Sequence, residues 1–315
     1  MDEKTYPKEP GPEAVLEPDL PICDAHHHLW EYPGNVYLGK DLIADIDGHN
    51  IVQTVVVEAW GRNLRSGGKM KEPAEETALA VAESNSNPGR TRIASGIIGY
   101  ADLMAGKAVE NVIESHIIAA QGRFRGIRPT VGSVLTDKRF LEGYSVINEH
   151  NLVVDVAVHS QHLPELLGLA AKYPETPIII NHLGVLPMRH PNQNPPGEIS
   201  DHDIEPWKEI IAKIAGCETL YMKLGGLGMD LVSAGWKEST NPDSAELARI
   251  MKPWYFYCIE RFGADRCMLE SNFPVDKRSF SYNVHWNAAK RLTENLSPAE
   301  RYSLFYATAV KAYRL

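Results

Sequence analysis

Eight short apolar runs that alternate with longer amphipathic stretches constrain the fold of this 315-residue chain more than any other feature. Several runs are continuous in β-branched residues, as in Val55-Val56-Val57 and Ile178-Ile179-Ile180. Such runs are typical of strands buried on both faces of a parallel sheet, whereas antiparallel strands usually alternate apolar with polar residues. We therefore predict eight parallel strands. They are expected at Pro21–Ala25, Ile51–Glu58, Ile93–Gly99, Phe124–Arg128, Leu152–Val158, Pro177–Asn181, Thr219–Leu224 and Arg266–Glu270.

Helix-like segments lie between the predicted strands, with apolar residues at spacings of three and four. They are Ala74–Ser84, Ala105–Gln121, Arg139–Glu149, Pro164–Lys172, Pro206–Ala215 and Ala245–Arg261. Eight strand-then-helix units in about 295 residues predict an α/β fold, a (β/α)8 TIM barrel that occupies residues 21–315 as a single domain. An open doubly wound sheet is the alternative. Its first strand is normally followed by a Gly-rich phosphate turn, but here that position reads His26-His27-His28.

Residues 1–20 precede the predicted barrel. They carry Pro7, Pro10, Pro12 and Pro18 among acidic residues, so we expect an extended arm rather than a helix. The chain contains no apolar run long enough for a membrane span, and its first residues do not form an apolar signal core. Four scattered cysteines without a C-x-x-C pattern are typical of a reducing compartment, and we expect a cytoplasmic protein.

The charge balance narrows the range of partners. The chain carries 32 Lys and Arg against 41 Asp and Glu, a net charge of −9. Nucleic acids and anionic membrane surfaces need clustered positive charge, so neither is expected as a partner. A small-molecule substrate is expected instead, and association into a homo-oligomer is left open.

Two connections exceed the usual length of a strand-to-helix loop, Trp60–Pro73 and Leu186–Pro206. Both follow predicted strands, so we expect them to line or cover the substrate site at the C-terminal rim of the barrel. A disordered surface insertion is the alternative for each.

Three consecutive histidines end the first predicted strand. Alternate residues of a strand share a face, so His26 and His28 can project together into the barrel mouth while His27 points away. Two neutral imidazoles at this spacing can hold one divalent ion. The position at a strand end of an eightfold pattern favours a metal site over a solvated patch.

The segment Cys23–Trp30 (CDAHHHLW) resembles the opening motif of the amidohydrolase superfamily, and more closely that of its second amidohydrolase family. That family holds sugar lactonases, a pyrone dicarboxylate lactonase and several nonoxidative decarboxylases. Further matching motifs extend the resemblance over about residues 20–315. They are Phe124–Arg128 (FRGIR), His159–Leu166 (HSQHLPEL), Ile180–Gly184 (INHLG), Met222–Gly225 (MKLG), Glu270–Pro274 (ESNFP) and Ala312–Leu315 (AYRL).

The resemblance implies that His26, His28 and His182 converge on one site and hold a divalent metal ion. His159, after the fifth strand, is a fourth candidate. Zinc is the expected ion for a set of imidazole ligands, and manganese is the second choice.

One position departs from the family pattern. Related hydrolases usually carry an aspartate at the end of the eighth strand, where it binds metal or accepts a proton from water, but this chain has Asn272. An amide cannot accept a proton near neutral pH and is a weak ligand for a hard cation. The usual general base is therefore missing, and a metal-free site stays open.

Other residues can supply the missing function. Glu58, Glu270 or Asp276 can provide a carboxylate from nearby strand ends. His182 or His159 can act as the base, because neighbours tune the pKa of histidine around neutrality. A third option is that no water is activated, because the reaction is a decarboxylation or an elimination.

Two cationic residues at strand ends are expected to bind substrate, Arg128 after the fourth strand and Lys223 on the seventh. Arginine can hold a carboxylate or lactone oxygen with two hydrogen bonds, and lysine can polarise a carbonyl. Ion pairing inside the barrel, with Asp155 or Glu58, is the alternative for both.

Residues near the strand ends also bear on the substrate class. The resembling pyrone dicarboxylate lactonase has a second basic residue shortly after the first, but residues 129–135 here have none, so a dicarboxylate is not expected. Trp30, Trp60 and Phe273 follow the first, second and eighth strands. Three aromatic rings around one mouth favour an apolar or aromatic substrate.

Together these residues predict an amidohydrolase-type hydrolase of a lactone, or of another cyclic or aryl ester of a small molecule. Water would attack the polarised carbonyl while Asn272 orients the water or the developing oxyanion. Two alternatives stay open. One is a nonoxidative decarboxylase or other lyase of the same family, and the other is a catalytically inactive barrel that binds a ligand.

Overall fold

The structure is a computed structural model that describes residues 13–32, 34–59, 74–129, 131, 134–186, 201–229 and 241–315. Its strands are β1 (Ile22–His27), β2 (Trp30–Tyr32), β3 (Asn35–Tyr37), β4 (Ile51–Val57), β5 (Arg92–Gly99), β6 (Phe124–Ile127), β7 (Val153–Val156), β8 (Ile178–Ile180), β9 (Leu220–Leu224) and β10 (Cys267–Leu269). Eight of them form one sheet in the order β1-β4-β5-β6-β7-β8-β9-β10, and every neighbouring pair is parallel. The predicted (β/α)8 barrel is therefore confirmed.

The barrel closes where the end of the sheet meets its beginning. The backbone N–H of Asn272 donates to the carbonyl of His26 at 2.8 Å, and that of His28 donates to the carbonyl of Phe273 at 2.7 Å. A parallel bridge between His27 and Phe273 lies at the same place. These bonds join the residues that follow β10 to the end of β1. They bring the histidine motif and the ESNFP motif side by side.

Each of the eight predicted strands corresponds to one barrel strand, with ends that differ by a few residues. β1 is the strand that runs longer at its carboxyl end, past Ala25 to His27. It does so because His27 pairs with Val56 of β4, and its side chain lies within hydrogen-bond distance of the Thr54 hydroxyl at 2.8 Å. The first two histidines therefore belong to the strand itself.

The α-helices within the described residues pack around the sheet. They span Gly39–Asp45, Glu75–Ser86, Glu110–Ala119, Lys138–Glu149, Leu166–Lys172, His182–Val185, Asp201–Ala215, Ser244–Phe262, Tyr282–Leu292, Pro298–Tyr302 and Thr308–Tyr313. The helix Ser244–Phe262 illustrates the local signals, since the Asp243 side chain accepts a hydrogen bond from the Glu246 N–H and Gly263 follows with φ of 84°. The sequence pattern did not predict the hairpin of β2 and β3, or the helices after residue 280.

Two layers of apolar residues explain the continuous apolar runs. Val55, Val153, Ile179 and Met268 belong to a cluster inside the barrel, while alternate residues of the same strands pack outward against the helices. Strands buried on both faces are what the β-branched runs predicted. The interior cluster fills the barrel, which leaves the rims as the places for chemistry.

The described part of the N-terminal arm, residues 13–20, contains no helix or strand, and residues 1–12 lie outside the described residues. The arm lies along the helix Tyr282–Leu292, where Leu16 N–H donates to Asn287 at 2.9 Å and the Lys290 amine donates to the Glu17 carbonyl at 3.1 Å. The assignment of residues 21–315 to a single domain stays a prediction. No helix among the described residues has the length and apolarity needed to cross a membrane.

Candidate active site

The residues predicted to carry chemistry follow the carboxyl ends of different barrel strands. Parallel strands place their carboxyl ends on one rim, which is where barrel active sites lie. The side chains found there are His26 and His28 at β1, Glu58 after β4, Arg128 after β6, His182 after β8, and Glu270 after β10. All of them are buried.

Three imidazole rings meet at this rim. The ring centroid of His26 lies 4.8 Å from that of His28 and 4.7 Å from that of His182. The structure thus brings together the three histidines that the sequence singled out. Their role as metal ligands stays a prediction.

Hydrogen-bond partners define the free nitrogen of two of these rings. Nδ1 of His28 lies 2.7 Å from the carbonyl oxygen of Val57, and Nδ1 of His182 lies 2.7 Å from Oε1 of Glu270. Both partners are acceptors, so each Nδ1 carries the hydrogen and each Nε2 carries a lone pair. Metal-bound histidines are typically oriented in this way by an acceptor on the other nitrogen.

His26 stands between these two rings. Its Nε2 lies 3.2 Å from Nε2 of His28, the distance of a hydrogen bond donated by His26 to the lone pair of His28. Its Nδ1 lies 3.0 Å from Oε2 of Glu270 and 3.2 Å from Nζ of Lys223. Burial lowers the pKa of both His26 and His28 well below the usual value, and the charges of Lys223 and Arg128 lower it further. Both rings are therefore neutral, the form that binds metal.

Glu270 is the carboxylate that serves this cluster. It is fully buried, and its Oε2 makes no hydrogen bond of good geometry with any described residue, although Nδ1 of His26 is close. Burial alone would raise the pKa of Glu270, but the hydrogen bonds from His182 and the charge of Lys223 outweigh it, and the pKa is lowered. Glu270 is therefore ionised at neutral pH. The sequence named it only as one of several carboxylates.

The donor set fits a divalent metal ion. Two imidazole nitrogens bound to one tetrahedral zinc at about 2.0–2.1 Å stand roughly 3.3 Å apart, close to the 3.2 Å between His26 and His28. His26, His182 and Glu270 also form a buried group whose potential ligand atoms lie within 4.8 Å of one another. Oε2 of Glu270, which has no hydrogen-bond partner among the described residues, adds an anionic ligand atom.

Asn272 is engaged with a carboxylate. Its Nδ2 donates to Oδ1 of Asp276 at 2.7 Å, and Oδ2 of the same aspartate accepts from the Gly228 N–H at 2.9 Å. Burial raises the pKa of Asp276 to about 8, against the lowering effect of these hydrogen bonds. The backbone of Asn272 has φ of 54°, a left-handed conformation that asparagine tolerates better than most residues.

Lys223 lies beneath His26, inside the barrel. Its Nζ donates to Oδ2 of Asp155 at 2.6 Å, and both side chains have no exposed surface. The Tyr313 hydroxyl donates to Asp155 at 2.9 Å. The structure therefore shows the interior ion pair that was the alternative to substrate binding by Lys223. Tyr313 was not singled out from the sequence, although it stands in the matching tail motif.

Arg128 is the cation nearest the rim. Its Nη1 lies 3.5 Å from Nε2 of His26, its Nη2 donates to the Glu58 carbonyl at 2.5 Å, and its buried Nε makes no hydrogen bond with the described residues. Arg128 thus has one N–H group that no described residue accepts, close to the imidazoles. This placement is compatible with the predicted contact to a substrate oxygen.

Glu58 lies beside this arginine. Its Oε2 accepts a hydrogen bond from the Tyr100 N–H at 2.5 Å. Burial and the neighbouring carboxylate of Glu76 raise the pKa of Glu58 to about 8. Glu58 therefore carries a proton at neutral pH, so it is suited to donate a proton rather than to accept one.

The remaining predicted residues differ in their placement. His159 is exposed and precedes the short helical segment Ser160–Glu165. The ring of Trp30 stacks on His28 with centroids 5.7 Å apart, whereas Phe273 is fully buried and packs edge-on against Tyr282. A role for Phe273 in substrate binding stays a prediction. Trp60 lies outside the described residues, as do most of the two long connections.

Comparisons with known proteins agree with this arrangement. The profile of a family described as amidohydrolase matches residues 23–315. An uncharacterized protein of Sinorhizobium fredii is 28% identical over 334 residues, covering 94% of this chain and 99% of the relative. An L-fucono-1,5-lactonase of Burkholderia ambifaria is 24% identical over 316 residues, covering 93% of this chain and 95% of the relative.

A solved structure shares the fold. An amidohydrolase from Burkholderia multivorans with bound zinc superimposes with a TM-score of 0.72 at 22% identity, covering 93% of this chain and 99% of that one. The profile match spans the barrel and every residue of the histidine cluster. The chain belongs to the amidohydrolase family.

Proposed function

We propose that the chain hydrolyses a lactone of a small hydroxy acid at the histidine cluster. The observation that carries the proposal is the pair formed by His182 and Glu270, in which Nδ1 donates to a buried carboxylate at 2.7 Å. The similarity to a sugar lactonase supports a cyclic ester as substrate. The ring of Trp30 stacks on His28 and offers an apolar face beside the cluster for the ring of a lactone.

His182 is the proposed general base. Glu270 holds the hydrogen on Nδ1, which leaves the lone pair of Nε2 to accept a proton from water as its oxygen attacks the lactone carbonyl. The negative charge of Glu270 stabilises the imidazolium that results, as the carboxylate of a catalytic triad does. This pair replaces the carboxylate missing at Asn272.

His26 and His28 are the proposed ligands of a divalent ion, with His182 and Glu270 as further donors in reach. When bound, such an ion supplies Lewis-acid polarisation of the carbonyl and a lowered pKa for water. Zinc suits a site rich in imidazole, and manganese is the second candidate.

Arg128 and Glu58 complete the proposed reaction. The free Nε–H of Arg128 is suited to bind the carbonyl oxygen, where negative charge develops as water adds. When the ring C–O bond breaks, the departing alkoxide needs a proton, and Glu58 carries one at neutral pH because its pKa is raised to about 8. The product is then an open hydroxy acid.

A panel of 1,4- and 1,5-lactones, beginning with L-fucono-1,5-lactone, tests the proposal by acid release in weakly buffered solution. Hydrolysis in H₂¹⁸O should place one labelled oxygen in the carboxyl group. His182→Ala should abolish release while the far-ultraviolet circular dichroism stays unchanged. Full activity of His182→Ala, or inertness towards the whole panel, would contradict the proposal.

Nonoxidative decarboxylation is the second candidate. The engagement of Asn272 with Asp276 favours it, because the position that usually activates water makes a structural hydrogen bond instead. A panel of aryl carboxylates with detection of released carbon dioxide separates the two reactions. A barrel without turnover, the third reading, predicts ligand binding without product in either panel.

A further inference from the structure

A cavity of about 420 Å³ opens at the end of the barrel opposite the histidine cluster. Its walls include Arg92, the first residue of β5, together with Arg123 and Arg125, which flank the first residue of β6. The histidine cluster follows the carboxyl ends of the strands, and the amino ends of parallel strands share the other rim. The cavity is therefore separate from the candidate active site.

The side chains that line the cavity carry a net positive charge. Its described lining residues include three arginines and neither aspartate nor glutamate. The guanidinium groups bond to neutral oxygens, namely Oε1 of Gln53 for Arg92, Oδ1 of Asn85 for Arg123 and the Gly122 carbonyl for Arg125. The ion pairs found among the described residues involve none of these arginines. In a chain with a net charge of −9, such a cluster marks a local attraction for anions.

Two donors in this cluster are buried without a partner. Nη1 of Arg123 and Nε of Arg125 make no hydrogen bond to any described residue. Buried polar groups in folded proteins nearly always make a hydrogen bond, and a charged donor without an acceptor lowers the stability of the fold. The acceptor for these groups is therefore missing from the described part of the chain.

We infer that this cavity binds a small organic anion through the guanidinium groups of Arg92, Arg123 and Arg125. The planar guanidinium group matches the paired oxygens of a phosphate or a carboxylate, and it stays charged at any physiological pH. Pro88, Ile93 and Leu315 add an apolar wall for the organic part of the ligand. The volume lies within the range of small-molecule pockets.

Isothermal titration calorimetry on the full chain tests the inference with two probes, inorganic pyrophosphate and citrate. Pyrophosphate reports a phosphate site and citrate reports a carboxylate site. We expect saturable binding of at least one probe. Arg123→Gln and Arg125→Gln should each weaken it about tenfold, as expected for the loss of one charge-assisted hydrogen bond. Arg139→Gln, which removes an exposed arginine from the helix Lys138–Glu149, should leave the affinity unchanged.

Two further variants keep the test decisive. Arg128→Gln removes the cation of the histidine cluster and should leave the affinity unchanged, so a loss in this variant would place the anion in the active site and overturn the inference. Ser95→Glu introduces a carboxylate into the cavity wall and should abolish binding even if the arginine variants fail to fold. The inference would also be overturned if neither probe gave heat at about 10 mM, a weak-binding limit. Unchanged affinity in a folded Ser95→Glu variant would overturn it as well.

Discussion

Nδ1 of His182 lies 2.7 Å from Oε1 of Glu270, although 88 positions separate the two residues in the chain. The other oxygen of the same carboxylate lies 3.0 Å from Nδ1 of His26. One buried carboxylate thus bonds to the imidazole of His182 and lies against that of His26, and the two rings reach the rim from different strands. The catalytic roles proposed for the cluster depend on this carboxylate.

Glu270→Gln keeps the size of the side chain and removes its charge. Because the imidazolium of His182 would lose its stabilising partner, we expect kcat for lactone hydrolysis to fall by about 10²–10⁴, the range of a general base. Steady-state kinetics on the best lactone of the panel measures the change. Glu294→Gln, at an exposed position, is the matched control. Wild-type kcat in Glu270→Gln would remove the carboxylate from the mechanism.

Metal content separates ligands from the general base. His26→Ala and His28→Ala should each lose bound metal, because a tetrahedral site needs both nitrogens of the pair. His182→Ala should retain most of the metal but lose activity, if His182 acts as the base. Elemental analysis of the purified variants measures this directly. Loss of metal from His182→Ala would assign that residue to the ligand set instead.

Glu58 gives a pH dependence with a defined sign. Its pKa is raised to about 8 by burial and by Glu76, so the protonated acid prevails below pH 8 and disappears above it. The rate should therefore fall as the pH rises through about 8. Glu58→Gln cannot transfer a proton, so we expect a rate about 10² lower that no longer shows this alkaline limb. A pH–rate profile from 6 to 10 with an unchanged limb in the variant would exclude Glu58 as the acid.

Lys290, which binds the N-terminal arm, makes the free energy of unfolding depend on pH. Burial lowers its pKa to about 8, while in the unfolded chain it keeps its usual value of about 10.4. Between these values the unfolded state binds more protons, so the Lys290 contribution to the free energy of unfolding rises with pH across this window. Lys290→Met should flatten that rise. Urea unfolding at pH 7.5 and 10 for both proteins measures the difference, and parallel pH dependences would contradict the assignment.

Asn272→Asp tests the partner of Asp276. In the wild type the amide of Asn272 donates and the carboxyl group of Asp276 accepts, whereas the variant places two carboxyl groups in contact. We therefore expect a loss of about 1–3 kcal/mol in the free energy of unfolding above pH 8. The loss should be smaller at pH 6, because one carboxyl group is then protonated. Adding Asp276→Asn restores one donor and one acceptor and should recover most of the stability. A single variant as stable as wild type at pH 9 would show that the 2.7 Å contact contributes little.

The strands were predictable because their signal is local. Runs such as Ile178–Ile180 are apolar on both faces, and this composition requires burial between the barrel interior and the surrounding helices. The hairpin of Trp30–Tyr37 has no such signal, because its strands are three residues long and partly exposed. Strand alternation also predicted that His26 and His28 share a face.

The carboxylate partner of the histidines could not be chosen from the sequence. Glu58, Glu270 and Asp276 all follow strand ends, and nothing in their local patterns distinguishes a proton donor, an ionised partner of His182 and a partner of Asn272. The closure of the barrel makes that distinction, since the Asn272 N–H bonds to the His26 carbonyl and thereby sets the register of the segment that holds Glu270.

The amino-acid sequence by itself determined the eightfold barrel, the rim on which the histidines stand and the residue types present there, because burial and strand alternation act over a few residues. Only the tertiary structure decided that Glu270 bonds to His182 and lies beside His26, that Lys223 pairs with Asp155, and that three arginines meet at the opposite rim. These contacts join residues far apart in the chain, so they depend on strand register and barrel closure rather than on local sequence.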